Sequence, residues 1–234
     1  MVLPRSAYEN EHSIIQAIRS GKHREFIGGL WEQMGNLQFL MLLSEGLKPE
    51  DYLIDVGCGA FRAGVKLIPY LDPSHYFGID ISNALMAAAY EREIEPLGLV
   101  FRFPHGNFAT SSNFDLSFFS RTFTFGLAQS VFSHLPVREL TRCLRNIAPW
   151  FAPGARFMVT YFEVPEDKRE LPFTQSPGGI TTYADNNPLH YTQSEIREAT
   201  EALQCWHLSI LGEWGHPLGQ RLLRFTRVPS ASAR

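Results

Sequence analysis

Tyr52-Leu53-Ile54-Asp55-Val56-Gly57-Cys58-Gly59-Ala60-Phe61-Arg62-Ala63-Gly64 is the stretch on which the reading of the chain turns. Leu53, Ile54 and Val56 form the short apolar run of a buried strand. Gly57 and Gly59 remove side chains where the backbone bends and let a ligand approach bare peptide. Gly64 falls where a helix would press on a sheet. That helix is expected over 64–71, with Val65, Ile68 and Leu71 on one face.

Working outward, the glycines are spaced G-x-G-x-x-x-x-G rather than the G-x-G-x-x-G of a dinucleotide turn. Asp55 stands two places before the first glycine, where its charge would repel a pyrophosphate and suit an ammonium. A second apolar strand, Tyr76-Phe77-Gly78-Ile79-Asp80-Ile81-Ser82, carries Asp80 at its tip. A carboxylate there accepts hydrogen bonds from ribose hydroxyls. Ribose, ammonium and no phosphate together describe S-adenosylmethionine.

With Asn107-Phe108 and the segment from Gln129 to Pro136 at ordered spacings, the chain resembles the class I S-adenosylmethionine-dependent methyltransferases over roughly residues 31–228. Trp-Glu-x-x-Gly-x-Leu-Gln, Gly-Cys-Gly-x-x-Arg-x-Gly, Ala-Gln-Ser-Val-Phe-x-His-Leu-Pro and His-Pro-x-Gly-Gln look like a bacterial small-molecule group of that class. The resemblance implies an α/β, Rossmann-like seven-stranded sheet of order 3-2-1-4-5-7-6. Its strand 7 is antiparallel, with helices on both faces and a helical N-terminal extension. It implies an extension over 1–30, a methyltransferase domain over 31–229 and a tail over 230–234.

By the same resemblance, Asp55 and the Gly57-Cys58-Gly59 backbone hold the methionine end, and Arg62 meets its carboxylate. Asp80 and Ile81 serve the ribose side, Asn107 and Phe108 the adenine, and Gln129 faces the cofactor. The Asn107 side-chain oxygen would replace the family's more usual aspartate as acceptor. Trp31, Glu32 and Gln33 are candidates for a cover over the cofactor, or for packing a helix on the sheet. His134 and His190 are the candidate general bases; His216, in a turn, reads better as structural. S-adenosylhomocysteine would be the product, and no metal is expected.

A length of 234 residues accommodates one α/β domain with a full core. Hydrophobic content of 44% and charged content of 19% are those of a folded chain. The net charge of −3, without a basic run, argues against a nucleic-acid substrate. Three scattered cysteines, Cys58, Cys143 and Cys205, fit reduced thiols in the cytoplasm and have no metal spacing. No stretch approaches the ~20 apolar residues of a membrane span. Eighteen phenylalanines point to an aromatic core or an aromatic pocket.

Along the chain, a helix is expected from Leu30 to Glu45 and another from Asn83 to Glu95. The third strand is placed at Leu99–Phe103 and the fourth at Phe123–Gln129. A helix over Val137–Trp150 and a fifth strand over Arg156–Phe162 follow. Residues 163–191 read as an irregular segment able to cover a substrate. Thr192-Gln193-Ser194-Glu195 is a capping box, and two strands around Gly215–Gly219 close the chain. The implied reaction moves a methyl group to an O or N of a small-molecule acceptor by in-line displacement. Two rivals remain at this stage: an NAD-binding oxidoreductase, and a non-catalytic binder of S-adenosylmethionine. Acceptor identity and oligomeric state leave no mark in the sequence.

Overall fold

The computed structural model describes residues 10–229. The expected 230–234 tail and the first nine residues of the extension lie outside the described residues. The strands form one main sheet of order β3-β2-β1-β4-β5-β10-β9, with β8 paired to β5, and helices flank it. This is the 3-2-1-4-5-7-6 order, counting β9 and β10 as the sixth and seventh main strands. The chain divides into two compact units, described in turn.

The first unit runs over 10–112 with 117–121. It opens with α1 (Glu11–Arg19), capped by the Asn10 side chain, and the short α2 (His23–Phe26). The long α3 (Trp31–Ser44) follows, starting from Leu30 in the left-handed region at φ 48°. Then come β1 (Leu53–Val56), α4 (Gly64–Tyr70) and β2 (Tyr76–Asp80), with β1 and β2 parallel in the register Asp55 opposite Gly78. α5 (Asn83–Ala89), capped by the Ser82 hydroxyl, widens into a π-helical turn, Tyr90–Ile94. β3 (Phe108–Thr110) lies parallel to β2, with Gly78 opposite Phe108 and Asp80 opposite Thr110.

The third strand is therefore not at Leu99–Phe103, where the sequence placed it. Those residues are turns; Phe103 is fully buried and Phe101 is 90% exposed. Their alternation belongs to one inward ring and one outward ring, without a ladder. Phe103 joins Phe61, Tyr76, Tyr90 and Phe108 in an aromatic cluster with ring centroids 5.1–5.9 Å apart. The phenylalanine excess is core here, not a pocket.

The second unit runs over 113–116 and 122–229. β4 (Phe123–Ala128) lies parallel to β5 (Phe151–Glu163) across α6 (Val137–Ile147). The apolar face of α6, Leu140, Cys143, Leu144 and Ile147, is buried as its spacing requires. Gly126 is obligatory, since a Cβ there would meet the Phe157 ring at 2.6 Å. β5 begins five residues before the expected strand, because Phe151 already pairs with Phe123.

Within 163–191 a small hairpin, β6 (Phe173–Thr174) with β7 (Thr181–Thr182), precedes β8 (His190–Tyr191). α7 (Gln193–Glu201) carries the full capping box of Thr192 and Glu195. β9 (Trp206–Gly212) and β10 (Arg221–Arg227) pair antiparallel, and β10 is antiparallel to β5. The turn between them packs backbone to backbone on 176–179. A Cβ on Gly178 would lie 2.6 Å from the Pro217 carbonyl oxygen, and one on Gly219 2.8 Å from that of Ser176.

Candidate functional site

In the first unit the glycine turn closes on the tip of β2. The N–H groups of Gly57 and Cys58 both donate to the Ile79 carbonyl, at 2.8 and 3.1 Å. The Gly59 N–H donates to Asp80 Oδ2 at 2.9 Å, and the Ser82 N–H to Asp80 Oδ1 at 2.9 Å. Three amides of the bend are thus satisfied inside the protein. Gly57 and Gly59 take φ of +74° and +53°, which a side chain would strain. The Cys58 side chain turns inward: its Sγ lies 3.6 Å from Met86 Sδ, and a Cβ on Gly78 would meet it at 2.9 Å. Cys58 contributes backbone to the bend, and burial pushes its thiol well above the usual range.

Each Asp80 oxygen takes one backbone N–H. An ionised carboxylate has about four acceptor positions, so capacity remains for two further donors. Desolvation raises the Asp80 pKa, opposed by the backbone N–H groups of Ser82, Gly59 and Ile81. Ile81, the next residue, is 44% exposed, an apolar face beside the carboxylate.

Asp55 is buried on β1 and accepts the Tyr76 hydroxyl at 2.7 Å. Burial pushes its pKa up to about 7, opposed by the Tyr76 hydrogen bond and the Arg62 charge. Gly64 leaves room for Tyr76, whose ring end would touch a Cβ there at 3.1 Å. The sequence aimed Arg62 at a ligand carboxylate. In the structure its Nη1 instead donates to the main-chain carbonyls of Gly29 and Ile27, at 3.0 and 3.3 Å.

Asn107 and Phe108 also need correcting. With β3 at Phe108–Thr110, Asn107 precedes the strand and stands at the amino end of the sheet. Its side-chain amide donates to the Tyr76 carbonyl at 3.0 Å, at the start of β2, while Asp80 is at the other end. Phe108 sits in the aromatic cluster. The residues that leave the carboxyl end of β3 are Ser111 and Ser112; the Ser111 N–H donates to the Asp80 carbonyl at 3.0 Å. Sequence reasoning missed them because it ended the strand seven residues early. The β-branched Thr110 followed by two serines was the available signal.

In the second unit, Gln129 and Ser130 leave the carboxyl end of β4. Ser130 holds φ +61°, its N–H donating to Thr160 Oγ1 at 2.8 Å. The Thr160 hydroxyl donates to Gln220 Oε1 at 2.6 Å, and Gln220 Nε2 donates to Ser130 Oγ. The Leu218 and Gln220 N–H groups both point at His216 Nδ1, so the proton is on Nε2. His216 Nε2 lies 3.4 Å from the Gln129 carboxamide, whose oxygen must then be the atom facing it. His216 thus ties the turn before β10 to the residue that follows β4.

His134 lies in the loop after β4. Burial lowers its pKa, opposed by a hydrogen bond with Asn187, so the ring stays neutral. His190 is fully buried. Its Nε2–H donates to the Arg169 carbonyl at 2.9 Å and its Nδ1 accepts the Thr182 hydroxyl at 2.8 Å. With both nitrogens occupied and its ring buried, His190 fastens the 163–191 segment. The Tyr191 hydroxyl donates to the Leu135 carbonyl at 2.7 Å and the Leu189 N–H to that of Ser133 at 2.7 Å. Among the described residues no group of three or more His, Cys, Asp or Glu side chains is set to hold a metal, and no helix is long and apolar enough to cross a membrane.

Residues 54–157 match a family model described as a methyltransferase domain. Among solved structures, the chain is similar to magnesium protoporphyrin IX methyltransferase of Synechocystis PCC 6803, solved with bound S-adenosylmethionine. Identity is 15%, covering 97% of this chain and 100% of that one, with a TM-score of 0.59. A S-adenosylmethionine-dependent methyltransferase of Methanosarcina mazei matches at 17% identity over 79% and 94% of the two chains, TM-score 0.52. The [4+2]-cyclase SpnF matches at 14% identity over 83% and 80%, TM-score 0.57.

Proposed function

We propose that this chain, which has the fold of the class I S-adenosylmethionine-dependent methyltransferases and a methyltransferase-domain match over 54–157, binds S-adenosylmethionine and moves its methyl group to an O or N of a small-molecule acceptor. One observation carries the reading. The bend uses its own amides internally while Asp80 keeps acceptor capacity. A dinucleotide turn needs those N–H groups for pyrophosphate. A nucleoside without phosphate needs only the carboxylate.

S-adenosylmethionine supplies the activated methyl group, and the protein supplies binding and alignment. Asp80 takes the two ribose hydroxyls, and Ile81 offers an apolar face to the base. Ser111 and Ser112, not Asn107, are the polar groups for the adenine edge. Asp55 supplies negative charge toward the ammonium. His134, neutral and following the carboxyl end of β4, accepts the acceptor's proton. The residues after β2 and β4 occupy the strand ends where ligands bind in open α/β sheets.

Calorimetry with S-adenosylhomocysteine and with NAD tests the reading. The first binds and the second does not. Asp80→Ala lowers affinity at least about a hundredfold, from two lost charge-assisted hydrogen bonds at roughly 1.5–3 kcal/mol each. NAD binding without S-adenosylhomocysteine binding refutes it. The cyclase neighbour supports one second reading: binding without methyl transfer, seen as affinity without turnover on any acceptor.

A further inference from the structure

Ser130, the second residue beyond β4, stands at φ +61°, in the left-handed region that glycine occupies without strain. A serine there accepts strain that glycine would avoid, and what it gains is a hydroxyl. Strain of this kind gathers at active sites and ligand clamps. The residue is held at three points. Its N–H donates to Thr160 Oγ1 at 2.8 Å, its carbonyl accepts the Ser133 hydroxyl at 2.9 Å, and its Oγ accepts Gln220 Nε2. Thr160 and Gln220 are buried, while Ser130 is half-buried.

The direction of these bonds follows from Thr160. Its oxygen takes the Ser130 N–H, so its own proton needs another acceptor, and Gln220 Oε1 lies 2.6 Å away. That turns the Gln220 amide with Nε2 toward Ser130. The opposite amide orientation would leave the Thr160 proton buried without an acceptor. The three bonds therefore run one way around a closed ring: Ser130 N–H to Thr160, Thr160 O–H to Gln220, Gln220 N–H to Ser130. Ser130 Oγ ends the ring as an acceptor, and its own proton meets no acceptor among the described residues. Gln220 is itself fixed. Its carbonyl takes the Trp214 indole N–H at 2.9 Å, and its N–H points at His216 Nδ1 at 3.4 Å.

We propose that Ser130 is a specificity-determining residue: its hydroxyl donates to a neutral carbonyl or hydroxyl oxygen that the acceptor carries besides the atom to be methylated. The inference rests on the methyltransferase reading and deepens it by naming a class of acceptor. Thr160 and Gln220 are positioning residues, which act through Ser130. Ser130 leaves the carboxyl end of β4, where ligands of open α/β sheets bind, and His134 follows it in the same loop. Gln129, Ser130, Thr160, His216 and Gln220 include no cation, so the cluster suits a neutral oxygen rather than a carboxylate or a phosphate.

Two matched pairs of probes test this: 3-hydroxyacetophenone with 3-ethylphenol, and 3-aminoacetophenone with 3-ethylaniline. Each pair keeps the nucleophile and the shape, and one member lacks the accepting oxygen. Affinities for the protein loaded with S-adenosylhomocysteine are measured by ligand-observed NMR. The unaltered protein is expected to hold at least one ketone about tenfold or more tighter than its ethyl partner. Ser130→Gly, which suits the left-handed backbone, is expected to bring that pair within about twofold. Gln220→Glu is expected to do the same, because a carboxylate there accepts from Thr160 and Ser130 alike and takes up the donor. Should Gln220→Glu fail to give a native circular dichroism spectrum, Ser130→Gly is read alone. A role in folding only would weaken both members and leave their ratio unchanged. Equal affinities within both pairs, no binding of any probe, or a preference that survives Ser130→Gly overturns the proposal, and the cofactor reading then stands if S-adenosylhomocysteine binds. If the unaltered protein does not bind S-adenosylhomocysteine, both fall.

Discussion

Asp55 offers the sharpest test, because its electrostatics can be read as stability. Buried on β1, it has a pKa of about 7 in the folded chain, against an ordinary 3.8. The folded state therefore holds the proton more tightly than the unfolded one. The contribution of Asp55 is most favourable below the ordinary carboxylate range. It is lost as pH rises from about 4 to about 7, and is constant beyond that. The full span is about 4 kcal/mol, the free-energy equivalent of a pKa near 7 set against the ordinary 3.8. Between about pH 5 and about pH 8.5 the loss is roughly 3 kcal/mol.

Asp55→Asn removes that titration while its side-chain oxygen can still accept the Tyr76 hydroxyl. Urea unfolding at the two pH values gives the result directly, since other carboxylates cancel between the proteins. The variant should gain about 3 kcal/mol relative to the unaltered chain on going to the higher pH. Parallel stability curves would refute the argument. The same carboxylate predicts a linked effect: an ammonium beside Asp55 lowers its pKa, so S-adenosylhomocysteine binding near pH 7 should release a proton. Calorimetry in buffers of different ionisation enthalpy detects it, and Asp55→Asn should abolish it.

Other outcomes follow from single contacts. Gly78→Ala should cost about 1–3 kcal/mol through overpacking on Cys58, and Cys58→Ala should recover part of that in the double variant, measured by thermal unfolding. His134→Gln should lower turnover of any acceptor found by about a hundredfold or more while leaving S-adenosylhomocysteine affinity within about twofold. His190→Phe should instead lower stability by about 1–3 kcal/mol, by orphaning the Arg169 carbonyl and leaving the Thr182 hydroxyl with only Phe173 and Gln175, without moving the pH profile of turnover.

The strand-turn-helix at 52–64 and the tip of β2 were legible because few residue types satisfy both bends and burial there. Glycine at a left-handed position and aspartate at a strand end leave a strong mark. The capping box at Thr192 and the closing strands were equally plain. The third strand was not, since Leu99–Phe103 alternates like a strand while pairing with nothing. That one misplacement carried the adenine assignment to Asn107, at the wrong end of the sheet. Arg62 and His190 share another cause. Their partners are main-chain carbonyls distant in sequence, and no spacing rule announces a carbonyl. Ile27, Gly29 and Arg169 became visible as partners only when the chain was folded.

The backbone-to-backbone seating of Gly178 and Gly219 has an engineering consequence. With carbonyl oxygens lying where two Cβ atoms would go, the stretch around 176–179 and the turn around 216–219 fit together as a matched pair. An insert or exchange in either alone leaves its counterpart jammed or gapped. Attempts to broaden acceptor range by loop grafting should therefore transplant the two as a cassette, and chimaeras carrying only one should be recovered in poor yield.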